Sequence, residues 1–66
     1  MSIMRTEIDD CRPRSESYAI IAEYDGYARL STISHDGAVR LDLAGVREAI
    51  ATLQKIEDRL AARRAA

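Results

Sequence analysis

The run Tyr18-Ala19-Ile20-Ile21-Ala22-Glu23-Tyr24-Asp25-Gly26-Tyr27-Ala28-Arg29-Leu30-Ser31-Thr32-Ile33 sets the architecture. Two stretches rich in β-branched and aromatic residues flank an Asp-Gly pair, a strong short-range signal for a β-hairpin. Glycine accepts the positive φ that the tight turn demands, and aspartate tolerates it. A two-residue turn at Asp25-Gly26 places Tyr24 opposite Tyr27, Ala22 opposite Arg29, Ile20 opposite Ser31 and Tyr18 opposite Ile33. A second pair, Asp36-Gly37, precedes Ala38-Val39-Arg40-Leu41-Asp42-Leu43. By the same logic, Ser34 pairs with Val39 and Thr32 with Leu41. Residues 18–43 are therefore expected to form an antiparallel meander.

Upstream, residues 1–17 hold a candidate edge strand at Ser2–Ile8 and a polar loop from Asp9 to Ser17, where Pro13 cannot donate to a ladder. Downstream, the period changes. Val46, Ala49, Ile50, Leu53, Ile56 and Leu60 recur at helical spacing, which predicts an amphipathic helix over 44–66. Asp42 is suited to cap its N-terminus, and basic side chains crowd its C-terminal half, where the helix dipole favours them. The expected fold is α+β: one domain, a three- to four-stranded antiparallel meander with a C-terminal helix on one face.

Composition bounds the function. The chain has 66 residues, 10 Lys plus Arg, 11 Asp plus Glu, and a net charge of -1. This near-balance argues against a globally basic nucleic-acid binder. With 47% hydrophobic residues the chain is expected to fold, yet one this short buries a small core. Cys11 is the only cysteine and His35 the only histidine, so neither an internal disulfide nor a zinc site is expected to staple it. Association with another chain is the remaining staple. No catalytic motif, metal site or cofactor site is evident. Cys11 lies beside Arg12, which favours a reactive thiol, but no general base is linked to it. No apolar run reaches membrane-spanning length and no signal-peptide pattern opens the chain, so a cytoplasmic location is expected.

Alternation assigns the sheet faces. One face carries Ala19, Ile21, Ala28, Leu30, Thr32, Val39, Leu41 and Leu43, and the helix is expected to cover it through Val46, Ile50, Leu53 and Ile56. The opposite face carries Tyr18, Ile20, Tyr24, Tyr27, Arg29, Ile33 and Arg40, where a solvated sheet would show Thr, Lys and Glu. Tyrosine and arginine are the types enriched at recognition surfaces. Three occupants are open for that face: the N-terminal segment or a second copy, a heterologous protein, or nucleic-acid bases stacked on the tyrosines. Asp9, Asp10, Glu23, Asp25 and Asp36 form a second feature, expected to steer the chain toward a basic groove on a partner.

A strand at Ser2–Ile8, strands over Tyr18–Leu43 and a helix over Ala44–Arg64 give a layout that resembles the PC4-like single-stranded-DNA-binding coactivators. That resemblance implies a single-stranded nucleic-acid-binding module. The small size, the carboxylates at Glu7, Asp9, Asp10, Glu16, Glu23, Asp25 and Asp36, and the Tyr/Arg face resemble phage-encoded anti-CRISPR proteins. This second resemblance implies a non-enzymatic inhibitor and a homodimer in the cytoplasm of a bacterial host. Its expected partner is a DNA-binding subunit of a CRISPR surveillance complex, with DNA access blocked by occupation or DNA mimicry.

Overall fold

The computed structural model describes residues 4–65 of the chain. Three strands precede one helix: β1 (Met4–Asp9), β2 (Tyr18–Tyr24), β3 (Tyr27–Ile33) and α1 (Leu43–Ala65). The sheet is antiparallel throughout, in the order β1-β2-β3. The β2–β3 register is the one the Asp25-Gly26 turn predicts, with Tyr24 opposite Tyr27 and Tyr18 opposite Ile33. Gly26 takes φ +89°, a conformation that side chains disfavour. The N-terminal strand is present from Met4 onward; Ser2 and Ile3 of the expected strand lie outside the described residues. It pairs with β2, Ile8 opposite Ala19 and Thr6 opposite Ile21. It thus widens the sheet and does not cover a face.

The expected strand at Ala38–Leu43 does not form, and neither do its pairings with β3. The Asp36-Gly37 turn is present, with Gly37 at φ +77°. The chain then leaves β3 and crosses toward β1, where the Cys11 N–H donates to the Arg40 carbonyl at 2.8 Å. The Ser34 hydroxyl lies 2.7 Å from the Ala38 carbonyl oxygen and accepts from the Ala38 N–H at 3.2 Å. Local side-chain bonding of this kind offers the backbone an alternative to a ladder.

Asp42 caps α1, its carboxylate accepting from the Gly45 N–H at 2.9 Å. The helix rests on β1 and β2. Its sheet-facing stripe is Gly45, Ala49, Thr52, Ile56 and Leu60. The expected stripe was Val46, Ile50, Leu53 and Ile56; of these only Ile56 is buried, and the other three are exposed. Polar anchors set this rotation. Buried Glu23 accepts from Arg59 Nε at 2.7 Å, and Thr52 Oγ1 lies 3.4 Å from Thr6 Oγ1. At the near end, a Cβ on Gly45 would meet Leu41 at 3.2 Å and Ile8 at 3.4 Å, so the missing side chain allows the close approach.

The core is small: Ile8, Ile21 and Ile56, with Met4, Leu41, Ala49 and Leu60 packed around them. Ile56 is 2% exposed and is the centre of that cluster. Ile56→Ala is expected to cost roughly 2–4 kcal/mol by loss of transfer energy plus a cavity. Lys55→Ala, one position round the helix, should cost less than about 0.5 kcal/mol. Urea-denaturation midpoints of the two variants check this.

Candidate interaction surface

The hairpin register brings Tyr18, Ile20, Tyr24, Tyr27, Arg29 and Ile33 onto one face of the sheet, opposite α1. The Tyr24 and Tyr27 rings are stacked, 5.6 Å between centroids and 19° between planes. They occupy the directly opposed position beside the turn, where cross-strand aromatic pairs meet. A shallow depression beside them is lined by Ile20, Ala22, Arg29, Ser31 and Ile33 and is closed on the β1 side by Arg5. Among the described residues no element covers this face.

Arg40 does not join it. It lies in the crossing segment after β3, 3.7 Å from Asp36. β1 contributes charges that lay outside the expected face. Arg5 stands opposite Ala22, Glu7 opposite Ile20 and Asp9 opposite Tyr18, so all three share the tyrosine face. Arg5 and Glu7 pair at 3.2 Å, which balances the one cation against an anion. Arg29 makes no ion pair among the described residues. The face is therefore aromatic and apolar at its centre, with Arg29 as its unmatched cation.

The five carboxylates expected to form one anionic steering surface are dispersed by the fold, and all but Asp9 are engaged by arginines. Glu23 points toward α1, not outward, and is taken by Arg59. Asp25 pairs with Arg63 near the helix end. Asp10 and Asp36 are both held by Arg12, with Arg12 Nε 2.9 Å from Asp10 Oδ2 and Arg12 Nη1 3.0 Å from Asp36 Oδ2. Charges consumed in ion pairs project little field to steer a partner.

Arg12 is a residue whose role the sequence reading missed. Its signal was Asp10-x-Arg12, a spacing that permits the Arg12 N–H to donate to Asp10 Oδ1 at 2.9 Å while the guanidinium returns to the same carboxylate. The pair holds the Asp10 carboxyl down at about 2, chiefly through that side-chain hydrogen bond. Asp36 is held well below the usual carboxylate range, first by the Ser34 hydroxyl and then by Arg12. One guanidinium thereby joins the β1–β2 connection to the β3–α1 connection.

Cys11 and His35 are both exposed, in these same two connections. Among the described residues no group of three His, Cys, Asp or Glu side chains gathers as a metal site would require. No helix among them is long and apolar enough to cross a membrane. Comparison with protein-family models, with curated proteins and with solved structures finds no match for this chain.

The Asp10 and Asp36 carboxyls titrate lower folded than unfolded, so their ionised forms favour the native state. That stability is complete above about pH 4. It is lost as pH falls through the depressed Asp10 value of about 2. Arg12→Met is expected to lower the urea midpoint at pH 7 and to weaken its dependence on pH between about 4 and 2. A series of urea titrations across that range measures both.

Proposed function

We propose that this chain is a non-enzymatic interaction protein that docks its open sheet face on a protein partner. Within that class, the reading it best supports is an anti-defence inhibitor that occupies a subunit of a nucleic-acid-targeting complex and blocks DNA access. The observation that carries the proposal is the uncovered face itself: stacked Tyr24 and Tyr27, Ile20 and Ile33, and an unmatched Arg29. An aromatic and apolar centre with one arginine is the composition of a binding hot spot.

Charge separates this reading from the PC4-like one, in which single-stranded DNA stacks on the same tyrosines. A strand of nucleic acid needs a cationic track for its phosphates. Here Arg5 is matched by Glu7, and Asp9 adds a further anion to the face. The carboxylates held by arginines leave occupation of a protein surface, not imitation of DNA charge, as the mode of inhibition.

Fluorescence anisotropy with labelled single- and double-stranded DNA, at low and physiological salt, tests the first step. No binding at low salt is expected. Single-strand binding that falls steeply with salt would replace the proposal with the nucleic-acid module. The second step adds the chain to purified CRISPR surveillance complexes of representative types and follows their binding to target DNA. Inhibition of at least one is expected. Tyr24→Ala and Arg29→Ala should each weaken that inhibition about tenfold or more with the circular dichroism spectrum unchanged. Inhibition that is insensitive to both variants, or absent throughout, would overturn the reading.

A further inference from the structure

The helix side of the sheet carries a second open surface. Leu30, at the middle of β3, is 68% exposed. Val46, Ile50 and Leu53 run along α1 and are 41%, 50% and 38% exposed. A mainly apolar groove lies between strand and helix, lined by Ala28, Leu53, Ile56, Leu60 and Ala61, with Glu57 and Arg64 at its margin. β3 is also an edge of the sheet, so one side of its backbone meets no strand among the described residues.

The two edges are built differently. β1 alternates charges along its six residues, Arg5, Glu7 and Asp9, a common protection of an edge against pairing. β3 holds one charge in seven residues, Arg29, and that residue belongs to the tyrosine face. Toward the helix side β3 shows only Ala28, Leu30 and Thr32.

We propose that β3 pairs antiparallel with β3 of a second copy of this chain about a two-fold axis at Leu30. The product is a six-stranded sheet with both helices on one side of it. A two-fold contact must be self-complementary. The strand Tyr27–Ile33 is centred on Leu30, so pairing on that centre sets Leu30 against its own copy. Ala28 then faces Thr32 of the partner subunit, Arg29 faces Ser31 of the partner subunit, and Tyr27 faces Ile33 of the partner subunit. No like charges stand directly opposite. A second copy supplies both missing parts together: a strand for the open edge, and an apolar helix flank to close over the two Leu30 side chains. It also enlarges the helix-side core, whose buried cluster is Ile8, Ile21 and Ile56 among the described residues, a small number for a chain with no disulfide.

This pairing leaves the tyrosine face free and sets both copies of it on one side of the long sheet. The dimer thus stands whether or not that face binds what is proposed above. Sedimentation equilibrium of the full chain tests it, with an expected mass of twice 7.4 kDa at micromolar concentration. Leu30→Lys should weaken self-association by about a hundredfold or more, because two Leu30 side chains leave the seam at once. Tyr24→Ala should leave self-association unchanged. In a Cys11→Ser background, Leu30→Cys should form a disulfide-linked dimer under mild oxidation, since position 30 faces itself across the pair. A monomer at all concentrations up to several hundred micromolar would overturn the proposal. So would a dimer that resists Leu30→Lys, or one that dissociates with Tyr24→Ala. Should Leu30→Lys fail to fold, Ile50→Lys and the cysteine variant decide the matter on the same terms.

Discussion

The buried carboxylate of Glu23 constrains the rest of the molecule. It projects from β2 toward the helix and is 2% exposed. A carboxylate taken from water without a partner is costly, and Arg59 meets it from α1 at 2.7 Å. That contact acts with the Thr6–Thr52 contact and the close approach at Gly45 to set which side of the helix faces the sheet. Ile56 then falls against Ile8 and Ile21. The same rotation turns Val46, Ile50 and Leu53 away from β2. The position of the helix over β1 and β2, and the bareness of β3 beneath its flank, accompany the rotation that this ion pair helps to hold.

How much of this was legible in the sequence depends on the range of the interactions involved. The β2–β3 hairpin was readable to the residue, because its register is set by a two-residue turn and alternation within sixteen positions. The helix and its Asp42 cap were readable for the same reason, both being local. The strand expected at Ala38–Leu43 was misread. Its β-like composition is outweighed by the Ser34 and Asp36 bonds around the turn and by the Cys11–Arg40 link to the other end of the sheet. Helix rotation was also misread. Apolar spacing favoured the Val46–Ile50–Leu53 stripe, and contacts distant in the chain decide otherwise: Arg59 with Glu23, 36 residues apart, and Thr52 with Thr6, 46 apart.

The surface followed the same division. The tyrosine face was legible because it is a property of the hairpin. Its β1 charges and the loss of Arg40 were not, since both depend on how separate segments meet the hairpin. The carboxylates read as free anions from their positions in loops and at strand ends. The Asp10–Arg12 pair is local, but the pairing of Asp36 with Arg12, Glu23 with Arg59 and Asp25 with Arg63 joins residues 24 to 38 positions apart, beyond what charge spacing along a chain can reveal.

Arg12 also bears on the order in which the molecule assembles. The β2–β3 hairpin closes across two residues and forms early, since short loops cost little entropy. Arg12 reaches Asp36 across 24 residues, from one connection to another. It finds that partner only after β1 has docked on β2 and the chain has turned beyond β3. Its bond to Asp36, unlike its local bonds to Asp10, is therefore expected to belong to the native state more than to the transition state for folding. A break at Arg12 would leave the folding rate nearly unchanged and speed unfolding. Arg12 thus acts as a latch, closed last and opened first, that sets how long the fold lasts once made.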